Sequence, residues 1–158
     1  MRIHDISESE FEKTEGVRKL ILHDNSRRFA CIDLGPPLGA YVLSWRSDRI
    51  EPALLESKDG SAFWIGVDQR LAAVDLKTGC IVLSLALNSS LLQLTVQKAL
   101  VAVLTESELL LFNTDFSIRL LETLPDLPDS VSFDGPLATI GLVNGHEFRF
   151  STETGLKL

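Results

Sequence analysis

The sequence predicts an all-β chain folded as an antiparallel meander of short strands, and three observations carry that expectation. Apolar runs close to the usual strand length recur from Val17 to Phe150. Gly, Asn, Asp, Ser or Pro separates one run from the next. The intervening segments are too short for the crossover helices that parallel neighbours require.

The first sixteen residues differ from the rest. Ser7-Glu8-Ser9-Glu10 is a Ser-x-x-Glu capping box, and the polar segment that follows ends at Gly16, so a short N-terminal helix is expected, with an acidic arm as the alternative. From Val17 onward the expected strands are 17–23, 28–34, 40–45, 50–56, 62–67, 71–76, 80–87, 91–96, 99–105, 109–113, 118–123, 137–143 and 146–150. Ala99-Leu100-Val101-Ala102-Val103-Leu104 and Leu109-Leu110-Leu111-Phe112 are apolar at successive positions rather than alternating, which predicts strands covered on both faces. At 158 residues the chain is expected to be a single domain, 1–158, with a helix or arm over 1–16, an irregular β region over 17–61 and three repeat-like units over 62–158. A hydrophobic content of 45% with 23% charge is that of an ordinary globular protein.

The repeat rests on spacing. Phe63-Trp64-Ile65-Gly66-Val67, Leu100-Val101-Ala102-Val103-Leu104 and Leu137-Ala138-Thr139-Ile140-Gly141 begin at positions 63, 100 and 137, equal intervals of 37. Each is followed by a polar turn and a second apolar strand. That strand runs into Asp75-Leu76-Lys77-Thr78-Gly79, Asn113-Thr114-Asp115-Phe116 or Thr152-Glu153-Thr154-Gly155. A period of this length signals stacked or radial units whose sheets cover one another.

The stretch from Arg70 to Leu83, with Asp75-x-x-Thr78-Gly79 at its centre, resembles the blade hairpin of the PQQ-like and WD40-like β-propellers. The resemblance extends over 62–158. Asn113–Phe116 lacks the Gly, and Thr152–Gly155 has Thr in place of the Asp. It implies propeller-like repeats and, in function, an interaction scaffold as often as an enzyme. A closed ring takes roughly four blades. Residues 17–61 are therefore expected either to form a divergent blade or to leave open sheet edges that pair with a second copy of the chain. A β-sandwich is the alternative architecture.

Few residues suggest chemistry. No Gly-x-Gly-x-x-Gly, Walker, Cys-x-x-Cys or His-Glu-x-x-His pattern occurs, and His4, His23 and His146 stand apart in sequence. No Ser lies in a Gly-x-Ser-x-Gly elbow. The carboxylate pairs Glu51/Glu56 and Asp126/Asp129 are expected to be solvated rather than acid and base. No catalytic residue, no metal and no cofactor is predicted, and the chain is not expected to be an enzyme. Pro125–Gly135 gathers Asp126, Asp129 and Asp134 in a stiff segment, read as an inter-blade connector with an acidic edge as the alternative.

Trp45 and Trp64 lie on expected strands and serve a partner only if exposed beside Arg46 or Arg49. The interaction candidates are accordingly Trp45, Arg46, Arg49, Trp64, Asp126, Asp129 and Asp134. A net charge of -7 argues against nucleic acid and anionic membranes and favours a basic protein partner. The expected function is a protein-interaction module, either a scaffold or an inhibitor of the immunity type that masks a basic partner. A small-ligand or carbohydrate-binding β-domain is the alternative. Two cysteines, Cys31 and Cys80, and a polar start point to a reducing, cytoplasmic setting.

Overall fold

The computed structural model describes residues Met1–Leu158. The chain divides into two compact units, Met1–Leu87 and Asn88–Leu158, each built from two sheets.

The first unit opens with β1 (Arg2–Asp5) and α1 (Glu8–Lys13). Ser7 Oγ accepts the Glu10 N–H at 3.3 Å while the Ser7 N–H donates to Glu10 Oε2 at 2.8 Å, the reciprocal box expected from the sequence. Phe11 is the buried residue of α1, with its ring 5.3 Å from that of Phe29. The helix stops at Thr14, and Gly16 instead opens a 3-10 turn, Gly16–Arg18. No helix is long and apolar enough to cross a membrane.

β2 (Lys19–Ile21), β3 (Arg28–Asp33) and β4 (Ala40–Trp45) join β1 in a sheet of order β1-β3-β4-β2. Here one antiparallel expectation fails, because β2 pairs with β4 in parallel. The chain from 22 to 39, including β3 itself, supplies the crossover that a parallel pair needs, so no helix is required. The second sheet is a plain meander of β5 (Ala53–Glu56), β6 (Ala62–Val67), β7 (Arg70–Asp75) and β8 (Ile81–Ala86), antiparallel throughout. Ile32, Leu43 and Trp45 from one sheet and Phe63, Ile65 and Val74 from the other share one buried core.

The second unit repeats the plan. β9 (Leu91–Gln97), β10 (Leu100–Thr105), β11 (Glu108–Phe112) and β12 (Ile118–Thr123) form a four-stranded meander. β13 (Pro128–Asp134), β14 (Leu137–Leu142) and β15 (Glu147–Ser151) form a three-stranded one. Leu104, Leu109 and Leu111 meet Ile140, Leu142 and Phe150 in its core. The three runs spaced by 37 residues lie in β6, β10 and β14, each the second strand of its meander. β6, β10 and β11 are buried along their whole length, as their continuous apolarity predicted.

Two sequence readings are corrected. Pro128–Asp134 is an edge strand paired with β14, not a loop. Pro128 is tolerated as its first residue because no ladder donor is needed there, and the Val131 and Phe133 alternation that marks the strand is diluted by Asp and Ser. In the third repeat turn the position of Asp75 is taken by Ser151 rather than Thr152. Gly79 N–H donates to Asp75 O and Gly155 N–H to Ser151 O, both at 2.8 Å, and both glycines are left-handed, with φ of 71° and 72°. In the middle turn Phe116 adopts φ 66° where the others have glycine.

Candidate functional site

The connection from β4 to β5 is a surface loop of the first unit held by side chains of its own and of the β6–β7 hairpin. Trp45 ends β4 with 1% exposure, and its Nε1–H donates to the Ile50 carbonyl at 2.9 Å. Ser47 Oγ accepts the Arg49 and Ile50 N–H groups, both at 3.2 Å. From the β6–β7 hairpin, a carboxylate oxygen of Asp68 accepts the Arg46 N–H at 2.7 Å and the Ser47 N–H at 3.1 Å. Asp68 holds φ 48°, a left-handed conformation that Asp tolerates better than most residues, and this turn lets its buried side chain face the loop. The loop backbone is thus fixed by side-chain hydrogen bonds, while Arg46, Arg49 and Ile50 remain exposed.

Charge pairing around the loop is uneven. Asp48 pairs with Arg27 at 3.5 Å, and Glu51 with Arg28, whose guanidinium also lies 4.7 Å over the Trp45 ring and 3.6 Å from Asp5. The nearby acids are therefore occupied by Arg27 and Arg28. Arg46 and Arg49 make no ion pair. Glu51 holds the Arg28 guanidinium while its side chain stays largely exposed.

His23 is buried close to this region, with Nδ1 2.8 Å from Ser44 O. A carbonyl can only accept, so Nδ1 carries the proton and the buried Nε2, which has no partner, is bare. Burial pushes the His23 pKa below the usual histidine value. The bond to Ser44 and the charge of Asp68 oppose that shift, and Arg70 and Arg46 reinforce it.

The structure separates the remaining candidates. Trp45 and Trp64, each 1% exposed, are core residues and offer no ring to a partner, because β4 and β6 are covered on both faces. Asp126, Asp129 and Asp134 are exposed in the second unit: Asp126 receives the Leu127 N–H at 2.8 Å in the turn before β13, and the other two lie near the ends of that strand.

One feature of the second unit escaped sequence reasoning. A cleft of about 380 Å³ lies among the β9–β10 turn, the β11–β12 turn, β12 and the segment after β15, lined by Gln97, Lys98, Asn113, Asp115, Arg119 and Glu153 among others. The Arg119 guanidinium donates to Thr152 O at 2.8 Å across one wall, and Asn113 Oδ1 is buried without a partner. These residues come from four separate stretches of chain, so no local motif announces them.

No protein-family profile matches the sequence, and no curated protein matches it. Solved structures do. Sqt1 of Saccharomyces cerevisiae superposes with a TM-score of 0.55 at 19% identity over 69% of this chain and 34% of that one. The β-propeller domain of Cps50 (Swd1) from Myceliophteria thermophila gives 0.54 at 10% identity over 67% and 36%. The computationally designed Ika8 protein gives 0.58 at 16% identity over 88% and 46%. The chain spans about a third of the length of Sqt1 and of the Swd1 domain. Sqt1 and Swd1 are WD40 β-propeller proteins, and the fold of this chain is all-β and propeller-like.

Proposed function

We propose that the chain is a non-catalytic protein-interaction module that docks a partner through the Arg46–Ile50 loop. The observation that carries this reading is the combination of a backbone fixed by five side-chain hydrogen bonds with two exposed, unpaired arginines on it. A loop already held in one conformation loses little entropy on binding. Arginine is also among the residues that dominate interface energetics. The propeller-like fold supports the reading as a scaffold on which such loops are displayed.

The finer proposal is a scaffold or an immunity-type inhibitor that masks a basic partner in a cytoplasmic setting. The net charge of -7 supports it by steering a protein of net positive charge toward this one, and Asp126, Asp129 and Asp134 add exposed carboxylates. Arg46 and Arg49 then meet an acidic or aromatic patch on that otherwise basic partner. The test is affinity capture from the native source with the native chain and with Arg46→Glu/Arg49→Glu. The native chain should retain a protein that the variant releases. Equal capture by both, or no captured protein while a small molecule raises the melting temperature, would reject the reading.

The cleft of the second unit favours a second reading, a small polar ligand bound by its amide and charged side chains. No aromatic ring lines it, so the stacking platform expected of a sugar site is missing there. Chemical-shift changes confined to Lys98, Asn113 and Arg119 on titration with a panel of small carboxylates, amines and amides would support this reading over the first.

A further inference from the structure

β8 breaks the usual rule for sheet edges. Native edge strands are blunted by charge, proline or irregularity, because their unpaired backbone groups invite another strand. The edge strands β1, β2, β5, β12, β13 and β15 each carry at least one charged residue, and β9 carries Gln93, Thr95 and Gln97. β8 reads Ile81-Val82-Leu83-Ser84-Leu85-Ala86, with no charge, no proline and no polar side chain larger than serine. Its single irregularity is near the start, where Val82 bulges between the pairs Ala73↔Leu83 and Val74↔Ile81.

The free hydrogen-bonding groups of this edge can be assigned. Leu87 N–H donates to Gln69 O, and the pairs Arg70↔Ala86, Leu71↔Leu85 and Ala72↔Ser84 continue the ladder without a break. Hydrogen bonding alternates along an antiparallel pair. Leu83, Leu85 and Leu87 therefore bond inward to the sheet, and Ser84 and Ala86 direct their N–H and C=O groups outward.

We propose that β8 pairs antiparallel with β8 of a second copy of this chain, on a two-fold axis at Leu85. In that register Ser84 faces Ala86 of the second copy and Ala86 faces its Ser84, so four backbone hydrogen bonds close the edge. Leu85 meets Leu85, and Leu83 meets Leu87. The regular stretch from Leu83 to Leu87 is used in full and the Val82 bulge lies outside it. A second copy is the occupant the strand selects, because it has no charge with which to recognise a foreign segment and is self-complementary about Leu85. Its lack of charge also removes the like-charge contacts that self-pairing would create at the charged edges. A two-fold contact of this kind closes on itself and yields a dimer rather than a fibre. The inference extends the interaction-module reading without using the Arg46–Ile50 loop.

The experiment is sedimentation of the full chain across a concentration series, with two variants at exposed positions. The native chain should pass from monomer to dimer. Ser84→Lys/Ala86→Lys sets lysines directly opposite one another and should weaken the dimer at least about tenfold with unchanged circular dichroism. Ser84→Cys/Ala86→Cys should cross-link the dimer on oxidation, as facing Cα atoms in such a pair lie within disulfide range. Val82→Cys should not, since its thiols would stand roughly 20 Å apart. A native chain that stays monomeric, a dimer that the lysines leave intact, or cross-linking equal at Val82 would overturn the inference. The lysine variant should still capture whatever the Arg46–Ile50 loop binds, and Arg46→Glu/Arg49→Glu should still dimerise, so the two proposals fail separately.

Discussion

Asp68 connects a hairpin to a surface loop through one side chain, and its substitutions separate two effects. Asp68→Ala removes the acceptor of the Arg46 and Ser47 N–H groups and leaves a β-carbon residue at φ 48°. The expected cost is about 2–3 kcal/mol by urea unfolding, since orphaned donors and left-handed strain act together. Asp68→Asn keeps one acceptor oxygen and tolerates the backbone, and should cost about 1 kcal/mol. His23 provides a pH test. Its folded-state pKa lies below the unfolded value near 6.5, so the unfolded chain takes up the proton first. Stability from this residue is complete above about pH 6.5 and declines as pH falls toward the folded value. Urea midpoints measured between about pH 7.5 and 5 should drop for the native chain and hold nearly level for His23→Gln. Asp59, whose pKa hydrogen bonds from the Ser61 and Ser57 side chains pull down to about 2, loses its own contribution only as pH falls below the unfolded Asp value of about 3.9, outside this window.

At the scale of the element, left-handed turn positions separate glycine from its substitutes. Gly79 at φ 71° would place an alanine Cβ 3.1 Å from Tyr41 Oη, the hydroxyl that donates to Gly79 O at 2.6 Å. Gly79→Ala should therefore lower stability by about 1–2 kcal/mol. Lys98 is exposed at φ 53° in the β9–β10 turn, and Lys98→Gly should raise stability by roughly 0.5 kcal/mol, part of the relieved strain being offset by glycine's freedom in the unfolded chain. Thermal melts check both. The sequence announced Gly79 through Asp75-x-x-Thr78-Gly79, but Phe116 hid an equivalent bend because nothing in its side chain signals a positive φ. Legibility along the chain followed the same logic. β6 and β10 were readable because burial on both faces demands unbroken apolar runs. β1, with every residue exposed, imposes too little pattern to be seen, whereas β2, three residues inside the expected 17–23 strand, was legible through its buried Leu20 and Ile21. The cleft was invisible for a related reason: its lining is polar turn residues that meet only after folding.

Charge acts on the molecule as a whole, and its effect on the two proposed contacts has opposite sign. At a net charge of -7, two copies repel one another on approach, and the uncharged β8 strand offers no local attraction to compensate. Salt shortens the range of that repulsion from about 30 Å at 0.01 M to about 10 Å at 0.1 M. Self-association should therefore tighten as salt rises across this interval. A basic partner is steered by the same field, so its association rate should fall as salt rises, while dissociation changes less. Sedimentation of the chain alone and stopped-flow mixing with the captured partner, each at low and moderate salt, give the two signs directly. If self-association weakened with salt, charge pairs would have to hold the dimer, and the β8 ladder could not be the contact. If the partner's rate were indifferent to salt, its surface would not be basic, and the masking role would lose its physical basis while the Arg46–Ile50 loop remained as a docking point.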